Sequence, residues 1–228
     1  MSRITPFDTC NRCNRDSPQL QRCSKCKIAF YCSATCQAAA WKSHKRICKD
    51  PPVSLTLTSP SSDIQGVRLI GGYNAPFFPD KPKPVPRDHP VWTASAVSPI
   101  SQIVGVPLLI HRESSEMGLE ESNDPDRDNQ AVTFLMIEPM SGFAPARWQK
   151  NIGPITIVRG DHKPLTRVAL EMIWMFCDRI LDIFGDDTGT PWEMYTREAF
   201  VEFCEDYKED HMQFPLRKAE MEAQELPL

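Results

Sequence analysis

The chain has 228 residues with 26 Lys and Arg against 30 Asp and Glu, a formal net charge of −4. That length suffices for one domain with a full core beside a smaller module, and the overall acidity argues against nucleic acid as the principal partner. No apolar stretch approaches the roughly 20 residues that cross a bilayer, and the start, MSRITPFDTC, lacks the apolar run of a secretory signal. The sequence reads as a soluble intracellular protein, nuclear or cytoplasmic, whose thiols stay reduced.

The first element, residues 1–50, is defined by its ligands. Seven of the nine cysteines fall between positions 10 and 48, joined by one histidine: Cys10, Cys13, Cys23, Cys26, Cys32, Cys36, His44 and Cys48. The spacing is C-x2-C-x9-C-x2-C-x5-C-x3-C-x7-H-x3-C. Thiolate and imidazole are the ligands Zn²⁺ prefers, and eight of them fill two tetrahedral sites with none left over. Gaps of two or three residues let one turn, or one turn of helix, aim both side chains at a single ion. With every position filled by protein, the sites are structural and metal-assisted hydrolysis is disfavoured. A disulfide framework would need an oxidising compartment that nothing else in the sequence suggests. The segment has few apolar residues (Phe7, Leu20, Ile28, Phe30, Tyr31, Trp41 and Ile47), so it is expected to be unfolded without metal. Spacing leaves two pairings open: a sequential one grouping Cys10, Cys13, Cys23 and Cys26, and an interleaved one.

A helix is expected from about 34 to 47. It places Gln37 and Trp41 on one face, four residues apart. Lys42, Lys45, Arg46 and Lys49 form a second stripe, able to neutralise phosphates or to meet an acidic partner protein. Residues 1–50 hold ten Lys and Arg against three Asp and Glu, so the basic charge is concentrated there.

The run RCSKCKIAFYCSATCQAAAWKSHKRIC, with the CxxC ahead of it, resembles the MYND-type zinc finger. That resemblance implies the interleaved arrangement, with Cys10, Cys13, Cys32 and Cys36 around one ion and Cys23, Cys26, His44 and Cys48 around the other. It also implies a protein–protein interaction module that binds proline-rich peptides of the P-x-L-x-P type. The family's peptide contacts fall on Ser24, Gln37 and Trp41. A flat indole is a platform for proline rings, and an amide can both donate to and accept from an extended backbone. The plainer reading of Trp41 is a plug in a small core. Some MYND fingers sit within SET-type lysine methyltransferases, but those are longer chains with an Asn-His motif that is missing from this sequence.

Residues 51–62, PPVSLTLTSPSS, read as a linker. Residues 63–228 read as an acidic α+β domain of unassigned role. Strands are expected at Val67 to Ile70, Val106 to His111, Ala131 to Ile137 and Ile155 to Val158. Two stretches are expected to be solvated loops: the proline-rich 75–99, with Pro82-Lys83-Pro84-Val85-Pro86 extended and able to reach the finger's groove, and the acidic 116–128. One helix is expected from Thr166 to Phe184, closed by Gly185, and another from Thr196, with Phe200, Phe203 and Tyr207 on one stripe. The region around VRGDHKPLT, with the helices after it, resembles the C-terminal part of fungal MYND-only proteins. The sequence contains no phosphate loop, nucleophile elbow or H-E-x-x-H motif. Arg159-Gly160-Asp161-His162 reads as a tight turn with Pro164 opening the next helix, and Cys177 and Cys204 as buried thiols. The expectation is therefore a two-zinc interaction adaptor, without enzymatic activity, that recruits a proline-containing partner, possible roles including transcriptional regulation. The alternatives are a nucleic-acid-binding regulator using the basic stripe, or an enzyme hidden in the larger domain.

Overall fold

The structure, a computed structural model, describes residues 10, 12–13, 20–25, 29–48, 64–72, 81–113, 128–139, 141–150, 152–185 and 195–226. The expected linker 51–62 and residues 116–127 of the expected acidic loop lie outside the described residues.

The amino-terminal part is built from a two-stranded hairpin and a helix. Strand β1 (Gln21–Arg22) pairs antiparallel with β2 (Phe30–Tyr31), with Gln21 opposite Tyr31. The ladder continues one step, because Cys23 N–H donates to Ala29 C=O at 2.8 Å. Helix α1 (Ala34–Ile47) begins at Ser33, whose hydroxyl accepts from Cys36 N–H at 3.2 Å, satisfying one of the donors a helix start leaves open. Among the described residues, the buried cluster of this part is Cys10, Cys23, Ala29, Tyr31, Ala40 and Cys48, half of it cysteine.

The carboxy-terminal part contains a five-stranded antiparallel sheet with helices. Its strands are β3 (Ile64–Leu69), β4 (Lys83–Val85), β5 (Ala96–Val97), β6 (Leu108–Arg112) and β7 (Ile155–Arg159), in the order β4-β3-β7-β6-β5. The helices are α2 (Ser101–Val104), α3 (Gln130–Leu135), α4 (Arg167–Gly185), α5 (Arg197–Met212) and α6 (Pro215–Ala223). Strand side chains alternate between the faces. Val67, Leu69, Leu108, Ile110, Ile155 and Ile157 point into a core shared with Leu170, Ile173, Phe176 and Phe200 of the helices. The opposite face carries Ile64, Val85, Leu109 and Val158 and is closed by a 3-10 turn at Pro90–Trp92, which adds Val91 and Trp92. Trp92 Nε1–H donates to Pro86 C=O at 2.9 Å, so the indole is anchored as well as buried. Gly66 sits where β4, β3 and β7 crowd together. A Cβ there would lie 2.6 Å from Val85 Cγ2 and 2.8 Å from Ile157 O, so only glycine fits.

Three expectations are corrected here. Ala131 to Ile137, expected as a strand, forms α3 and the turn after it, because Asn129 caps the helix start and Ala131, Val132 and Leu135 fall on one buried helical face. The proline-rich stretch 75–99 is structured over its described part. Lys83–Val85 forms β4 at the sheet's edge, with Gln65 opposite Pro84, and does not serve as a free extended ligand for the finger. Pro164 does not open α4; Thr166 does, its hydroxyl accepting from Ala169 N–H at 3.0 Å. Among the described residues no helix is long and apolar enough to cross a membrane.

Candidate metal centre

The hairpin and α1 gather the ligand residues into two groups. Cys10, Cys13, Cys32 and Cys36 form one, and Cys23, His44 and Cys48 the other, with the ligand atoms of each group within 4.8 Å of one another. Cys26, the eighth expected ligand, lies outside the described residues. Both groups draw on α1: Cys36 lies in its first turn, just after Cys32 on the extended approach to the helix, and Cys48 N–H donates to His44 C=O at 2.8 Å, stacking these two ligands at the helix end.

The spacing fits zinc. Sulfurs at about 2.3 Å from a tetrahedral Zn²⁺ stand about 3.8 Å apart, and a sulfur and an imidazole nitrogen about 3.5 Å. Cys13 and Cys32 sulfurs are 3.7 Å apart, Cys32 and Cys36 3.5 Å, and Cys23 and Cys48 3.6 Å, while His44 Nε2 is 3.4 Å from Cys23 Sγ. A disulfide would hold its sulfurs at about 2.05 Å. The electrostatics point the same way. Burial alone would raise Cys10, but the backbone amides of Cys32, Arg12 and Cys13, with the Cys13 thiol, hold it down to about 6. Cys32 is pushed up to about 12 by its hydrogen bonds with the sulfurs of Cys36, Cys10 and Cys13. The Cys10 thiolate therefore forms readily, while ionising Cys32 calls for a cation among the sulfurs. Burial lowers the pKa of His44, favouring the neutral imidazole that coordinates metal.

Beside the second group lies a shallow open groove of about 480 Å³, lined by Cys23, Ser24, Lys25, Ala34, Gln37, Ala38 and Trp41. One wall is the turn after β1, and the other is the α1 face carrying positions 34, 37, 38 and 41, the i, i+3, i+4, i+7 set. The exposed alanines leave the trough between the walls. Trp41 is 44% exposed, and its ring lies 5.9 Å from the ring of His44, centroid to centroid. The indole thus leans on a ligand residue and also faces solvent, rather than plugging the core. Ser24, Gln37 and Trp41, named from the sequence, meet in this one groove. Lys25, Ala34 and Ala38 were missed, although the helical spacing of the two alanines with Trp41 was a usable signal.

The family model of the MYND finger matches residues 10–48. Residues 10–48 are a MYND finger. A MYND finger is a zinc-binding protein–protein interaction module. The relatives share this segment. Histone-lysine N-methyltransferase SMYD3 of Homo sapiens is 45% identical over 62 residues, 27% of this chain and 14% of the relative. SET domain and MYND-type zinc finger protein 6 of Schizosaccharomyces pombe is 49% identical over 41 residues, 18% of this chain and 8% of the relative. Tudor domain-containing protein 1 of Mus musculus is 45% identical over 47 residues, 21% of this chain and 4% of the relative. The chain therefore spans a small fraction of the length of these relatives. No solved structure matches the chain. The relatives correct the expectation of a protein without enzymatic activity, because the MYND finger is shared with proteins named as histone-lysine methyltransferases. The shared segment is the MYND region.

Outside the MYND finger, the Arg159–His162 segment is a turn closed by its own ion pair. Arg159 Nε and a terminal guanidinium nitrogen donate to the two Asp161 carboxylate oxygens at 2.9 and 2.7 Å. Cys177 and Cys204 are buried, and burial raises both thiols, Cys204 to about 12, which removes the thiolate a nucleophile needs.

Proposed function

We propose that the MYND finger holds two structural zinc ions, one on Cys10, Cys13, Cys32 and Cys36 and one on Cys23, Cys26, His44 and Cys48, and that its groove docks a proline-containing peptide of a partner protein. The peptide is of the P-x-L-x-P kind. Its prolines stack on the Trp41 indole, and its backbone exchanges hydrogen bonds with the Gln37 amide and the Ser24 hydroxyl. Zinc holds the turn carrying Ser24 against the helix carrying Gln37 and Trp41, contributing on the order of 10–16 kcal/mol of apparent binding energy per site to the fold. The observation that carries this reading is the meeting of Ser24, Gln37 and a half-exposed Trp41 around one groove. In this reading residues 51–62 tether the finger to the domain at 63–228. The recruited partner acts in transcriptional regulation, a role in keeping with the histone-lysine methyltransferases among the relatives, and the protein works in the nucleus or cytoplasm.

The test is a fluorescence-anisotropy titration of the zinc-loaded chain with a labelled P-x-L-x-P peptide, beside Trp41→Ala. Micromolar binding lost in the variant is expected; equal binding by both proteins would overturn the assignment. The exposed Lys42 and Lys45 of α1 keep nucleic acid as a second reading. That reading requires affinity for a DNA or RNA duplex that falls steeply with salt and survives Trp41→Ala.

A further inference from the structure

We propose that the groove selects peptides whose prolines are flanked by Asp or Glu, with Lys25 and Lys45 as the residues that read the acid. The inference rests on the groove being a peptide site. Of the seven residues lining the groove, Lys25 alone carries a side-chain charge that is not tied to a metal centre. It sits next to Ser24 on the wall facing α1 and is exposed. Lys45 is exposed and continues the row Gln37, Trp41, Lys45 at four-residue steps, so it stands about 6 Å further along the helix than Trp41. Lys42, though exposed, lies one position round from that row. A peptide stacked on Trp41 thus has one ammonium group across the trough and another beyond the indole. Among the described residues neither lysine has an ion-pair partner of its own, so both are available to a ligand. The centre behind the groove opposes them weakly, since Zn²⁺ with three thiolates and one imidazole carries a net charge of about −1.

The discrimination is modest and measurable. An exposed pair of opposite charges contributes about 2- to 5-fold in affinity, and salt screens it. Like charges brought together disfavour binding by a similar factor. The groove therefore accepts a neutral proline peptide, prefers an acidic one and disfavours a basic one.

Three labelled peptides share a P-x-L-x-P core and differ only in two flanking positions, filled with Glu, Gln or Lys. Each is titrated into the zinc-loaded full chain, into Lys25→Glu and into Lys45→Glu, at about 50 and about 300 mM salt, where screening differs. Expected is an affinity order of Glu over Gln over Lys with about 2- to 5-fold steps, narrowing at high salt. Each variant should weaken or reverse the order of the Glu and Lys peptides, a change of sign that general damage to the groove would not produce. Zinc content and melting temperature of the variants show that the finger is intact. Equal binding of the Glu and Gln peptides, or an order untouched by both variants, overturns this inference and leaves the groove assignment standing. Failure of all three peptides to bind overturns the assignment, and the inference with it.

Discussion

Replacing Asp161 by Asn decides whether the Arg159–His162 turn is architecture. Arg159 ends β7 and is 8% exposed, and its two guanidinium donors reach Asp161 at 2.9 and 2.7 Å. Lys163 N–H adds a third bond to Asp161 Oδ1 at 3.2 Å. Asn keeps the shape and the Lys163 bond but leaves the guanidinium buried without a counter-charge. Removing one partner of a buried pair costs about 3–5 kcal/mol. With the two side chains still 9% and 12% exposed, the lower end applies, about 3 kcal/mol. In a chain of this size each kcal/mol moves Tm by about 2–4 °C, so Asp161→Asn should melt roughly 6–12 °C lower. The pH dependence has a definite sign. Burial would raise the Asp161 carboxyl, but the Arg159 hydrogen bonds outweigh it and hold the pKa below the usual carboxylate range. A depressed carboxylate contributes stability above its unfolded pKa, about 3.9, and loses it as the pH falls through the folded value. The gap between wild type and variant should be complete at pH 7 and shrink only in stronger acid. Thermal melts followed by tryptophan fluorescence suit the measurement, because the Trp92 ring lies 5.5 Å from that of His162 in the same turn. In Arg159→Met with Asp161→Asn the loss should fall short of the sum of the two single variants. A single variant melting within about 2 °C of wild type, or additive losses, would refute this account.

Four further outcomes are expected. Gly66→Ala should destabilise the sheet by about 1–3 kcal/mol, read as a lower urea midpoint with unchanged slope, because the Ile157 carbonyl 2.8 Å from the new Cβ is fixed in the β3–β7 ladder. His89 Nδ1 accepts from Val91 N–H at 3.1 Å, and its pKa is lowered first by burial and then by His111, with Glu113 and Asp88 opposing. A histidine depressed in this way contributes stability above its unfolded pKa, about 6.5, and loses it as the pH falls towards the folded value. The Trp92-monitored Tm should therefore decline from pH 7 to 5, and less so in His89→Asn. Chelation should erase the ellipticity of the 14-residue α1 and the binding of the peptide, while the sheet and helices still melt cooperatively. Native mass spectrometry should count two zinc ions per chain, and a count of one would contradict the two-centre reading.

The cysteine spacing made the ligand residues legible, because metal geometry constrains sequence directly, whereas their interleaved grouping came from the resemblance to the MYND finger. Helix α1, expected from about 34 to 47, and the apolar α4 were legible for a related reason: helical periodicity is local. Strands β3, β6 and β7 lie within a few residues of their expected positions. The failures have physical causes. The segment Ala131 to Ile137 is rich in β-branched and aromatic residues that favour strands, but the Asn129 side chain, accepting from Val132 N–H, starts a helix instead. Helix α6 went unread although Pro215 occupies its first turn, because its register depends on distant partners. Arg217 reaches Glu171 at 2.8 Å, and Tyr207 OH donates to the same carboxylate at 2.6 Å, across 46 and 36 residues of sequence. Such contacts leave no local trace. The groove was half legible: helical spacing placed Gln37 with Trp41, whereas the approach of Ser24 and Lys25 depends on the metal-held turn.

The prolines around β4 have a consequence for how copies of this protein meet. Pro84 has no N–H to give, so its pairing opposite Gln65 is one in which its backbone nitrogen points away from β3. Pro82 and Pro86 flank the strand at either end. Along that border the strand is three residues long, lacks an outward donor at Pro84 and is bounded by two further residues without an N–H. At the opposite border, β5 is only two residues long and offers too little ladder to hold a guest. Among the described residues both flanks of the sheet are thus poor templates for another strand, which guards crowded molecules against joining edge to edge into fibrils.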